Sequence, residues 1–304
     1  MVKTFIRDHK GATFLNQNLR HIKGGFIAPD STQNPITTAA AVSAISPTQS
    51  APIIIEGPSD AFSEVFSTIG LQRAADNIDV QNRLECLITD TAYRRRLMNR
   101  PILVDHVYGT NLQPFKLCES IFLEPQQTLQ VALFNNSIAG TSTFQQALEV
   151  RKFQEPCWNE PSSKKRLAEL RQRKPRLYPF WQTTDNAISL TPGQEITTFL
   201  TVSSDIRFVA FAAMARAISV GGGIGETTEL FTMNMFDGQT ERPLQNQPVA
   251  RTCCSGTNTF PYWFPTGWML EPNSKVKLNF KSLLTTGTSV DIFYTLFGTA
   301  CYVG

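Results

Sequence analysis

The stretch from Asp90 to Pro125 lies on the stretch from Asp237 to Pro272 without a gap, 147 residues apart, and twelve of the thirty-six positions are identical. The matched residues are Asp90, Arg95, Leu97, Asn99, Pro101, Gly109, Thr110, Asn111, Pro114, Leu123, Glu124 and Pro125. Their counterparts are Asp237, Arg242, Leu244, Asn246, Pro248, Gly256, Thr257, Asn258, Pro261, Leu270, Glu271 and Pro272. Unrelated segments of ordinary composition agree at about one position in fifteen to twenty. The period is too long for a solenoid unit and right for a whole domain. Both halves of the chain are therefore committed to the same fold.

With one or two small gaps the match extends upstream. Pro47, Gln49, Ser59 and Asp60 fall on Pro192, Gln194, Ser204 and Asp205, and Phe62 and Val65 fall near Phe208 and Phe211. The chain divides into an extended N-terminal arm (residues 1–41), a first repeat (42–153), a basic linker (154–186) and a second repeat (187–304).

At 304 residues two domains are expected, each with its own core. Only 17% of residues are charged, Phe occurs 21 times, and Pro and Gly occur 18 times each. That profile fits packed strands and turns and does not fit a disordered chain. No run of eighteen apolar residues exists to span a bilayer. The N-terminal Met1–Lys10 stretch lacks the apolar segment and cleavage site of a secretory signal. Six cysteines show no CxxC spacing, and Cys118 and Cys254 align with Pro265 and Val107. Reduced, packed thiols made in a host cytoplasm are expected, with no metal and no cofactor.

The net charge of +3 is unevenly laid out. Residues 1–23 carry +4 and residues 161–178 carry +6, which leaves −7 for the rest. In the linker the cations are Lys164, Lys165, Arg166, Arg171, Arg173, Lys174 and Arg176. Such a segment can attract phosphate in a salt-dependent way, dock on an acidic neighbouring subunit, or present a solvated face. Ser162-Ser163, good helix formers and Pro175 predict about three turns of helix, with Leu167 and Leu170 pinning one side to a sandwich.

Within each repeat, Leu129–Leu133 and Val276–Phe280 alternate with period two, as does Thr288–Phe297. Ile196–Val202 and Phe208–Met214 are apolar runs of strand length, the latter alanine-rich enough to pass for a helix. The shared residues are mostly punctuation: Asp90 and Asp237 at strand ends, Gly109 and Gly256 where the backbone needs freedom, and Pro114, Pro261, Pro125 and Pro272 at turns. Short strands over 110–118 residues predict an all-β chain of two tandem jelly-roll-like sandwiches.

Candidate chemistry is sparse. His106 stands beside Asp105, but its aligned pair is Thr252-Cys253, and strand neighbours point to opposite faces. Gly221–Gly225 lacks the Lys-Ser/Thr and helix of a phosphate loop. Asp90 and Asp237 sit in separate domains, which does not suit a glycosidase pair. Of Arg94-Arg95-Arg96 only Arg95 recurs, which points to a fold role. The aromatics of Pro261–Pro265 and Trp268 could stack sugars, or fill an interface between domains or subunits.

The second copy reads Leu244-x-Asn246-x-Pro248-Val249, then Gly256-Thr257-x-x-x-Pro261-Tyr262, then Leu270-x-Pro272. This pattern resembles a module of bacteriophage virion structural proteins, and the tandem arrangement resembles double jelly-roll coat proteins. The resemblance spans about three quarters of the chain, and neither arm nor linker takes part. It implies a non-enzymatic virion subunit: a self-assembling capsid protein, or a decoration, collar or head-fibre-base protein. Its implied partners are further copies of the chain, with three chains giving six near-equivalent lobes, other virion proteins, and packaged nucleic acid facing the basic elements. The rival from another class is a carbohydrate-binding or hydrolytic sandwich protein.

Overall fold

Leu84, Cys86, Ile88 and Asp90 are buried while Glu85, Leu87 and Thr89 are partly covered, the two-residue period of a half-buried strand. The same alternation organises both halves of the chain. The computed structural model describes residues 22–27, 50–57, 59, 61–74, 83–110, 113–136, 142–154, 161–219, 229–256, 260–287 and 289–303. The first lobe contains β1 (Ile22–Ile27), β2 (Ser50–Glu56), β3 (Ala61–Ala74), β4 (Leu84–Asp90), β5 (Arg95–Arg96), β6 (Ile102–Leu103), β7 (Phe115–Leu123), β8 (Thr128–Asn135) and β9 (Ser142–Gln154). Helix α1 (Pro161–Arg173) follows. The second lobe contains β10 (Leu177–Thr183), β11 (Ile188–Leu190), β12 (Glu195–Thr201), β13 (Ile206–Ser219), β14 (Phe231–Asp237), β15 (Val249–Ala250), β16 (Tyr262–Leu270), β17 (Lys275–Ser282) and β18 (Val290–Tyr302).

In the first lobe one sheet runs β1-β9-β3-β7 and the other β2-β8-β4-β5, with β6 also on β4. In the second the orders are β10-β18-β13-β16, with β11 on β18, and β12-β17-β14-β15. The strand pairs are antiparallel. Successive strands mostly cross from one sheet to the other, and the two orders coincide once β1 is set on β10 and β9 on β18. The chain is all-β, two tandem jelly rolls. The alanine-rich run from Phe208 lies in β13, paired on both sides by β16 and β18; small side chains let the flanking strands fill the core.

The duplication holds at the level of single backbone angles. Arg94 and Glu241, 147 residues apart, both have positive φ, at 49° and 54°, and Gln126 and Asn273 share a φ of 61°. Each of the latter two follows a Glu-Pro pair and is spanned by a bond from Gln127 N–H to Glu124 O, or from Ser274 N–H to Glu271 O, both 3.0 Å. That is the φ pattern of a type II turn with Pro at its second position. A Cβ on Gly109 would lie 2.2 Å from Gln113 O and Phe115 N, and one on Gly256 would lie 2.3 Å from Phe260 O. Asp90 accepts the N–H of Ala92 at 3.0 Å and Asp237 that of Gln239 at 2.9 Å.

Three sequence expectations shift. β1 falls inside the stretch assigned to the N-terminal arm, and pairs with β9 from Ile22↔Phe153 to Ile27↔Leu148. β10 likewise falls inside the stretch assigned to the linker. Both are edge strands lying outside the aligned stretch of the repeat, so the repeat gave no sign of either. Third, the pairing of β3 slips between Val65 and Ser67 and that of β13 between Ala210 and Ala212. This shared bulge makes Phe66, rather than Val65, the counterpart of Phe211. The remainder of the arm, with His9 and His21, and the Gly221–Gly225 run lie outside the described residues.

Helix α1 begins at Pro161, where a missing N–H costs nothing. It ends before Pro175, which has no N–H to continue the ladder. Leu167 and Leu170 pack on Phe122 and Phe153, with Phe62 alongside, so the helix lies on the outer face of the β1-β9-β3-β7 sheet. No helix among the described residues is long and apolar enough to cross a membrane.

Candidate interaction surfaces

The basic segment turns most of its charge inward, onto its own first lobe. Arg166 bonds the buried carboxylate of Glu64, which Arg151 also approaches at 3.4 Å and to which Ser120 donates at 3.0 Å. Arg173 pairs with Glu119 at 2.7 Å and Arg171 with Glu124 at 3.7 Å. Burial lifts the Glu119 carboxyl above its usual range even with Arg173 beside it. Lys174 is buried, its ammonium on Gln127 Oε1, and desolvation pulls its pKa down against the attraction of Asp90 and Glu124. Lys164, Lys165 and Arg176 are exposed. The expected choice among phosphate, a neighbouring subunit and solvent omitted this internal docking. Its acidic partners come from β3, β7 and the turn after β7, and no sequence pattern ties those to the helix.

The second built surface is the seam between the lobes. Leu97–Asn99 of the first lobe runs along the outer edge of β10: Trp181 N–H donates to Leu97 O at 3.0 Å and Asn99 N–H to Trp181 O at 3.3 Å. Asn99 Nδ2 then donates to Thr183 O, and Thr183 N–H to Asn99 Oδ1, each at 3.0 Å. Arg95 donates to Lys174 O at 3.2 Å and Pro175 O at 3.0 Å, with its guanidinium 4.5 Å and 4.2 Å from the Tyr178 and Tyr302 rings. Its fold role is thus to hold the two lobes together. Phe115 meets Phe297 edge-on at 4.9 Å, and Trp181, fully buried, lies 4.8 Å from Phe297. One apolar cluster runs unbroken through both lobes. Each such ring contributes about 1.5–3 kcal/mol by leaving water, so the seam belongs to the folded state itself.

Polar groups finish the seam. His106 is buried, with Nδ1 2.8 Å from Thr295 Oγ1, while Trp181 Nε1 donates to His106 O at 3.1 Å. Asp105 instead bonds Arg216, so His106 and Asp105 form no dyad. Arg83 pairs with Asp291 at 3.1 Å and lies over Phe293. Beside them is a cavity of about 120 Å³, lined in part by Glu85, Arg100, Pro101 and Asn186. Burial raises the Glu85 carboxyl, outweighing Asn136, Arg83 and Arg100.

The repeat-defining residues divide between these tasks. Asp90, Gly109, Pro114 and Pro125, with Asp237, Gly256, Pro261 and Pro272, shape turns inside each lobe. Arg95, Leu97, Asn99 and Pro101 lie at the seam, whereas Arg242, Leu244, Asn246 and Pro248 are exposed on the second lobe. Leu97 is 2% exposed and Leu244 47%. Beyond them, β16 shows Tyr262, Trp263 and Met269 to solvent, with Phe260 just before the strand. Thr183, Phe115 and Trp181 carry the seam without having been singled out from sequence; the i, i+2 spacing of the identities from Arg95 to Pro101 was the available signal.

Among the described residues no cluster of His, Cys, Asp and Glu is arranged to hold a metal ion. Cys86, Cys118, Cys253, Cys254 and Cys301 are free thiols, and burial pushes Cys118 up to about 12 and Cys254 up to about 11.

No protein-family model and no curated protein matches the sequence. Among solved structures the chain is similar to the major capsid protein of the archaeal virus STIV, with a TM-score of 0.44 and 9% identity over 93% of this chain and 97% of that one. A second structure, of Sulfolobus Turreted Icosahedral Virus, gives 0.44 and 10% over 93% and 91%. The major capsid protein P2 from bacteriophage PM2 gives 0.35 and 10% over 91% and 98%.

Proposed function

We propose that this chain is a non-enzymatic structural subunit of a virus particle, a coat protein that assembles with copies of itself. The observation that supports this most directly is the fusion of two equivalent jelly rolls, side by side, across one continuous core. Residues retained between the copies shape turns and seam contacts, and among the described residues none of them joins a cluster arranged to hold a metal ion. A chain with two similar lobes lets three copies present six near-equivalent lobes, a tile suited to closed shells. Other virion proteins are the remaining partners of such a tile.

Contact with packaged nucleic acid is assigned to Lys164, Lys165 and Arg176, because the linker's other four cations are engaged by the first lobe. Three phosphate contacts give a log–log salt slope of about −3 for duplex DNA. The exposed aromatics of β16 favour a second reading, a sugar-stacking surface. Assembly is preferred because Phe115, the counterpart of Tyr262, is spent on lobe-to-lobe packing.

Gold-labelled antibody against this chain, imaged on purified particles, tests the reading. Label distributed over the whole shell is expected. Label confined to fibre tips or one vertex would replace the coat role with a decoration, collar or fibre-base role. A saturable hit for the purified chain on a glycan array, with no self-association in sedimentation, would overturn both virion readings.

A further inference from the structure

Four identical residues, Arg95, Leu97, Asn99 and Pro101, stand at alternate positions on the seam, and their twins Arg242, Leu244, Asn246 and Pro248 stand exposed. Folding of the second lobe gives no reason to keep that spacing. The backbone there is already built, since Leu244 N–H bonds Met235 O as Leu97 N–H bonds Ile88 O. Side chains aimed out of the lobe are retained for a contact outside it. In the first lobe the partner is β10, an edge strand.

The counterpart of β10 is β1, also an edge strand, paired among the described residues on one side only. Trp181 stands opposite Phe297, and Phe26 stands opposite Glu149, the position 148 residues before Phe297. We propose that the strip Arg242–Pro248, with Tyr262, docks along the free edge of β1 in a second copy of this chain, repeating between chains the seam made within one. This rests on the reading of the protein as a self-assembling subunit and names the surface used.

Side-chain chemistry at the two ends agrees. The internal seam sets Phe115 on Phe297. Between chains the same positions hold Tyr262 and Glu149, so a phenol meets a carboxylate where two rings met before. Glu149 is half-buried and accepts the Ser67 hydroxyl at 2.5 Å. The interchain joint is thereby more polar than the internal one, as suits a contact formed by subunits that must first be soluble. Because the strip and the β1 edge are different surfaces, the contact is heterologous and gives a ring where the rotation between copies closes, an open filament where it does not.

The test uses the full chain in analytical ultracentrifugation, wild type beside the doubly substituted Leu244→Asp, Asn246→Ala. Both positions are exposed, so circular dichroism and melting temperature should stay unchanged. A ring or filament for wild type and at least a tenfold weaker association for the variant are expected. In a Cys253→Ser background, Asn246→Cys chains mixed with Ile27→Cys chains should give a dimer with a short bis-maleimide, in excess of either chain alone. If wild type assembles and the variant assembles equally, this surface is wrong while the subunit reading stands. If wild type stays monomeric at high concentration, the subunit reading itself fails.

Discussion

Asn99 and Thr183 hold each other through two hydrogen bonds of 3.0 Å, the side-chain amide of one matching the backbone donor and acceptor of the other. The pair joins residues 84 positions apart, one in each lobe, at the end of an edge strand. Truncation to Asn99→Ala leaves a partly buried N–H and C=O without partners, at about 1–3 kcal/mol. Urea denaturation should register that loss, with both lobes unfolding together because their core is continuous. Asn246→Ala in the monomeric chain should change stability by less than about 0.5 kcal/mol, as exposed positions do. Equal effects at the two sites would contradict the assignment of the seam.

The turn after β7 adopts positive φ at Gln126, and its twin after β16 does so at Asn273. A side chain in that region costs about 1 kcal/mol for most residues and less for Asn. Gln126→Gly should therefore stabilise by about 0.5–1 kcal/mol, and Asn273→Gly by less. Gly109→Ala should act in the other direction by several kcal/mol, since its Cβ would meet backbone at 2.2 Å with no flexible group to yield. Thermal melts of the three single variants would check the order.

Turn geometry was legible in the chain for this reason: Asp90, Gly109 and Pro125 each answer a local backbone demand, and the same demand recurs 147 residues later. Helix α1 was legible through Pro175 and the Leu167–Leu170 spacing. Edge strands β1 and β10 were not, because both lie outside the aligned stretch where the repeat gave its signal. The acidic partners of the linker were hidden as well: Glu64 lies 55 residues before Glu119 and joins Glu119 and Glu124 only when β3 and β7 pair. The seam stood half in view. The spacing of Arg95, Leu97 and Asn99 was visible, but its meaning depends on which copy is covered.

Glu64 is 5% exposed and shares its carboxylate among Arg166, Arg151 and Ser120. Removing one cation from a buried pair exposes the other charge to a low dielectric, at about 3–5 kcal/mol when no second partner exists. Arg151 remains in Arg166→Ala, so about 1–3 kcal/mol is expected. Replacing both partners, as Glu64→Leu with Arg166→Met, should recover part of the loss, since the Arg151 left behind is 36% exposed and can be solvated. A double-mutant cycle in urea gives the coupling directly, and additive losses would show the pair contributes nothing beyond its separate packing.

Glu85 borders the cavity between the lobes, where burial raises its carboxyl above its ordinary value of 4.5 despite Arg83 and Arg100 nearby. An acid whose pKa rises on folding binds its proton more tightly in the folded state. Its stabilising contribution is full below 4.5 and is lost as pH climbs through the raised folded value. Above that value the ionised group opposes folding, so neutral pH is where removing its charge helps. Glu85→Gln should raise the melting temperature at pH 7 and leave it nearly unchanged at pH 4.5, flattening the profile between. A variant profile parallel to wild type across that window would mean that the carboxylate is solvated at the seam and that the desolvation argument is wrong.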